Sequence, residues 1–87
     1  MLGKPLYTGT RSSNGIETTA QANTLIDFIP RLIDLKFIAV TACSVKINNE
    51  SNAHYLRVND VLELKNFPIN SITIAESGAQ YIYHATY

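Results

Sequence analysis

A single cysteine, Cys43, rules out an internal disulfide. With only two histidines beside it, His54 and His84, the chain lacks the four-ligand set of a structural zinc site. Charge is scarce and balanced, with seven basic and seven acidic side chains that cancel. Phosphate contacts need a net basic face, and the cations Lys4, Arg11, Arg31, Lys36, Lys46, Arg57 and Lys65 are scattered among acids. Nucleic acid is therefore not an expected partner, and no polybasic membrane patch exists. The longest apolar stretch, Phe37 to Cys43, is far too short to span a bilayer. No apolar segment follows Met1-Leu2-Gly3-Lys4-Pro5, so no signal peptide is expected and Cys43 is expected to be a reduced, buried thiol.

The motifs of common chemistries are missing as well. There is no phosphate-binding loop, dinucleotide glycine fingerprint, Cys-x-x-Cys pair or His-Glu-x-x-His helix. His54 and His84 lie on separate candidate strands, and Cys43 has no histidine nearby in sequence. Asp27 and Asp34 fit solvent-facing positions at strand edges better than a catalytic pair. The turn 48–52 holds one carboxylate, Glu50, without the spaced acids of a calcium loop. Asn49-Glu50-Ser51 matches the glycosylation sequon by chance. No catalytic residue, cofactor or metal is expected, and the chain is not expected to be an enzyme.

What is present is alternation. Ile33, Leu35, Phe37, Ala39, Cys43, Val45 and Ile47 share one parity, and Asp34, Lys36, Ser44 and Lys46 share the other. Period two with polar groups on one side marks half-buried strand. The run exceeds ordinary strand length, so a break or bulge is expected near Thr41-Ala42. Further short strands follow at 54–58, 61–65, 71–76 and 81–87, separated by Asn, Asp, Gly and Pro. Leu56, Val58, Leu62, Leu64, Ile72, Ile74, Tyr81 and Tyr83 are the inward candidates. This spacing predicts an all-β fold: a small antiparallel β-sandwich or jelly-roll-like barrel over 23–87.

Two segments are less regular. Leu25, Ile26, Ile29, Leu32 and Ile33 have helical spacing, but Pro30 interrupts it. A strand ending at Pro30 is favoured over a helix ending there. Residues 1–22 have few large apolar groups, a turn at Asn14-Gly15 and a possible brief strand at Leu6-Tyr7-Thr8. They are read as an N-terminal arm or edge strand. Tyr81, Tyr83 and Tyr87 recur at even spacing, which suits core packing, or alternatively an aromatic strip for sugar or protein.

Phe28-Ile29-Pro30, then 43–48, a short strand and turn, and then 72–81 form a succession that resembles the small β-sandwich accessory proteins of tailed bacteriophages: decoration proteins, head-fibre bases and minor tail components. The resemblance covers roughly residues 24–87 and implies a non-enzymatic virion subunit, made in the host cytoplasm. Such a subunit would bind the major capsid or tail protein and repeat by symmetry as a homo-oligomer. A domain of this size without staples also gains stability by assembly. Candidate partner contacts are Leu2, Pro5, Leu6, Tyr7, Arg11 and Tyr87. The alternative is a carbohydrate-binding module using exposed tyrosines.

Overall fold

Leu35, Phe37, Ala39, Cys43, Val45 and Ile47 all turn into one apolar interior, and the polar residues between them face outward or sit half-buried. A computed structural model describes residues 9–13 and 15–87. These form nine strands and no helix: β1 Thr10–Ser12, β2 Glu17–Thr18, β3 Thr24–Leu32, β4 Asp34–Ala39, β5 Cys43–Ile47, β6 His54–Leu56, β7 Val61–Leu64, β8 Ile69–Ile74 and β9 Gln80–Thr86. The expected break lies at residues 40–42, where the chain leaves one sheet for the other.

One sheet runs β1-β9-β4-β7, with β2 also on β9, and the other runs β3-β8-β5-β6. All the strand pairs are antiparallel. β1 and β2 pair with the same strand, Ser12 opposite His84 and Glu17 opposite Tyr81, so they are two pieces of one interrupted strand. Counted so, there are eight strand positions. The first pairs with the last, β3 with β8, β4 with β7 and β5 with β6, and successive pairs fall in alternate sheets. A long antiparallel hairpin wound in this way is a jelly roll.

β1 and β2 thus supply the first strand position of the fold. Glycine at position 9 permits this, because its backbone exchanges two 3.0 Å hydrogen bonds with Tyr87 and a Cβ there would come within 3.0 Å of the Tyr87 ring. The possible strand at Leu6-Tyr7-Thr8 lies outside the described residues.

The core joins both sheets. Phe37 and Tyr81 stack at 5.3 Å between ring centroids, Tyr81 and Tyr83 at 6.4 Å, and Phe28 meets Tyr83 edge-on at 5.7 Å. Tyr81 and Tyr83 are each only 7% exposed, so these tyrosines of β9 pack in the core and form no exposed strip. Leu56, Ile72 and Ile74 are buried as expected, and Leu62 and Leu64 are half-buried against the core. Val58 departs from expectation at 59% exposed. It sits in a turn in which Asp60 N–H donates to Arg57 C=O at 3.0 Å and Asn59 has φ 69°, so strand β6 ends before it.

β3 also departs from expectation by running through Pro30 to Leu32. Its register against β8 shifts between Asp27, opposite Ser71, and Leu32, opposite Ile69. Phe28 and Leu32 both fill the core, and residues 29–31 between them bulge outward. Pro30 is accommodated because β3 is an edge strand, where a missing N–H breaks no ladder bond. The Ile29–Pro30 peptide is cis.

Candidate functional site

Among the described residues, seven large apolar side chains are exposed: Ile16, Leu25, Ile29, Tyr55, Val58, Val61 and Phe67. Their distribution follows the topology. The edge positions of the sandwich are β1/β2 and β3 on one side, and β7 and β6 on the other. That β1 and β3 share a side follows from Arg11, whose guanidinium lies 5.1 Å above the Phe28 ring. Ile16 adjoins β2, and Leu25 and Ile29 lie on β3. Tyr55 lies on β6, Val61 on β7, Val58 between those strands and Phe67 just after β7. The central strands β9, β4, β8 and β5 carry none of the seven.

The β3 edge is the more developed of the two. It is the longest strand, and its outward edge pairs with no other strand among the described residues. Leu25 is 56% exposed and Ile29, in the bulge, 87%. The Phe28 ring, held edge-on by Tyr83 and capped by Arg11, anchors one base of that bulge, and Leu32 anchors the other.

Of the partner contacts expected from sequence, Leu2, Pro5, Leu6 and Tyr7 lie outside the described residues. Arg11 is half-buried on β1, and Tyr87 is half-buried against the core. They flank the β3 side and the closing strand, and the exposed apolar groups of Leu25 and Ile29 were the larger feature. Alternation alone could not reveal Ile29, because the bulge breaks the parity from which exposure is read, and it could not separate Leu25 from Ile26, because both are apolar.

The groups with potential chemistry stand apart. His54 is exposed on β6 and His84 is exposed on β9, in different sheets. Cys43 is fully buried, and burial together with the nearby Glu76 carboxylate pushes its thiol pKa up, so the nucleophilic thiolate is disfavoured. Burial, then the charges of Glu17 and Tyr83, push the Tyr81 phenol up as well. Asp27 is exposed as expected. Asp34 is instead half-buried and accepts from Thr86 Oγ1 at 3.0 Å and from Asn66 N–H at 2.8 Å, tying β4 to β9 and to the turn after β7. The turn after β5 is a hairpin turn in which Asn48 and Asn49 have φ 54° and 59° and Glu50 N–H donates to Ile47 C=O at 3.1 Å. No group of three or more metal-ligating side chains occurs among the described residues.

The outer face of the β1-β9-β4-β7 sheet carries a cleft of about 450 Å³, lined from all four strands. Ser12 lies opposite His84, His84 opposite Lys36, and Lys36 opposite Glu63, so these four residues form one row across the sheet. Comparison with protein-family models, with curated proteins and with solved structures gives no match to this chain.

Proposed function

We propose that the protein is a non-enzymatic structural subunit of a tailed-phage particle: a small capsid-decoration or head/tail accessory protein that acts through protein–protein contacts. The observation that carries this reading is the placement of the exposed apolar side chains on both lateral edges of the sandwich and on none of its central strands. A subunit with sticky, chemically different edges on opposite sides suits side-by-side association of copies that closes into a ring or lattice. Unpaired strand edges add backbone donors and acceptors to such contacts.

Three further features support the reading. The jelly roll is an architecture shared by viral capsid domains and lectins, which is support by analogy of fold. Neutral polar groups dominate the surface, so repeated copies can approach without strong charge repulsion. The resemblance of residues 24–87 to phage accessory proteins points the same way. The runner-up, sugar binding through exposed tyrosines, loses its strip because Tyr81 and Tyr83 face the core.

The test is quantitative mass spectrometry of gradient-purified phage particles from a lysate in which the gene is expressed. A fixed copy number per particle, in a ratio to the major capsid or tail protein set by symmetry, is the expected result. Absence from particles, with the chain recovered in the soluble fraction, refutes the reading.

A further inference from the structure

None of the seven exposed apolar side chains lines the cleft on the outer face of the β1-β9-β4-β7 sheet. Its volume, about 450 Å³, falls within the range of small-molecule sites, roughly 300–1,000 Å³. Its lining combines cations with neutral hydroxyls. Lys36 and His84 are exposed and directly opposite each other on β4 and β9, and such cross-strand neighbours stand about 5 Å apart at Cβ, close enough to converge on one group. Neither side chain has a hydrogen-bond or ion-pair partner among the described residues. Ser12 extends the row on one side of His84, and Thr10 lies on the same strand two residues away.

The charges around this pair favour an anion. The cleft's cations are Arg11, Lys36 and Lys65, and its carboxylates are Asp34 and Glu63. Glu63 lies opposite Lys36 in register, but its carboxylate is 3.9 Å from Lys65 Nζ. Asp34 accepts hydrogen bonds from Thr86 and Asn66. Arg11 is directed to the Phe28 ring. Lys36 is left as the cation whose charge no side-chain contact offsets among the described residues, with the His84 imidazole beside it as a second donor. The cleft is much larger than a bare carboxylate needs, and the hydroxyls of Thr10 and Ser12 offer hydrogen bonds to neutral groups.

We infer that this cleft binds a hydroxylated carboxylate of monosaccharide size, a sugar acid, with the carboxylate between Lys36 and His84 and the ring hydroxyls toward Ser12 and Thr10. Lys36 and His84 stand on the central strands β4 and β9, and none of the exposed apolar side chains of the edges lines the cleft, so binding of a free sugar acid neither requires nor excludes assembly into a particle.

The experiment is a two-dimensional ¹H–¹⁵N NMR titration of the full chain with glucuronate, glucose and acetate in parallel. Glucuronate should produce saturable shifts at the amides of Ser12, Lys36 and His84. Glucose keeps the ring without the carboxylate, and acetate keeps the carboxylate without the ring, so each should bind at least about tenfold more weakly. Lys36→Met should weaken glucuronate binding by about tenfold or more while leaving the thermal unfolding curve in place, because Lys36 is exposed. His84→Gln supplies a second variant with the same expectation of weakened binding. The proposal is overturned if glucuronate gives no saturable shift, if glucose or acetate binds as tightly, or if both variants bind as the parent does.

Discussion

Replacing Thr19 with Val should destabilise the protein far more than a change of one hydroxyl on a short edge segment suggests. Thr19 follows β2 and is 4% exposed. Its Oγ1 donates to the Glu76 carbonyl at 2.7 Å and accepts from the Ala79 N–H at 2.9 Å. Its backbone adds Thr19 N–H to Ala79 C=O and Gly78 N–H to Thr19 C=O, both 2.9 Å. These bonds clip the first strand onto the turn between β8 and β9. Valine keeps the shape, removes both side-chain bonds and leaves the buried Ala79 N–H without its acceptor. A buried polar group left unsatisfied costs about 1–3 kcal/mol. The Glu76 carbonyl is less deeply buried and recovers part of its loss from water, so the total is about 2–3 kcal/mol. For a domain of this length that lowers Tm by roughly 10–20 °C.

Urea unfolding followed by circular dichroism measures the change, with a lower midpoint and an unaltered slope expected. Thr19→Ser restores the hydroxyl and loses one methyl group, so it should remain within about 1 kcal/mol of the parent. Amide exchange at Ala79 should accelerate in the valine variant alone. A valine variant within about 0.5 kcal/mol of the parent, or a serine variant as damaged as the valine one, refutes the reasoning. Either result would mean that β1, β2 and Thr19 are not integral to the sandwich.

Other consequences can be checked alongside. Phe37→Ala removes a fully buried ring stacked on Tyr81 and should cost about 3–5 kcal/mol, most of the stability of so small a domain, visible as loss of a cooperative thermal transition. Asn48→Ala should cost about 2 kcal/mol in urea unfolding, because the side chain donates to Pro68 C=O at 2.8 Å and accepts from Asn70 N–H at 2.6 Å while the residue sits at φ 54°. Cys43 should resist a thiol reagent at pH 8 in the native protein and react at once after unfolding. Both Cys43 and Tyr81 have folded pKa values raised above the unfolded ones, so near pH 9–10 and above the native state holds more protons than the unfolded chain. Stability should therefore be flat with respect to these groups at neutral pH and fall as the pH rises past that window, read from urea midpoints between pH 7 and 10.5.

The regular part of this fold was legible because burial alternates there without interruption. From Asp34 to Ile47 the buried residues all share one parity, and the three residues between Ala39 and Cys43 preserve it as the chain changes sheet; Ile33, expected inward, is only half-buried, because its neighbour Leu32 fills the core instead. Sequence pattern was weaker wherever a residue's surroundings are set by distant chain. Phe28 and Leu32 are both buried at a spacing of four, which resembles a helix until the outward bulge at 29–31 accounts for it. Thr19 carries no apolar signal, and its burial comes from partners 57 and 60 residues away. Pairing of β1 and β2 with β9 is equally nonlocal, so the segment could be read only as an arm or an edge strand. The exposed edges arise from strand order, which periodicity does not contain.

The most direct test of the proposed role is a charge substitution on the β3 edge. Leu25→Glu with Ile29→Glu replaces two exposed apolar groups without touching the core, so the variant should unfold within a few degrees of the parent. Copies per purified phage particle, counted by mass spectrometry, should fall about tenfold or more, because each buried apolar contact becomes an unpaired buried charge. Unchanged occupancy in a folded variant would contradict an edge-mediated assembly role.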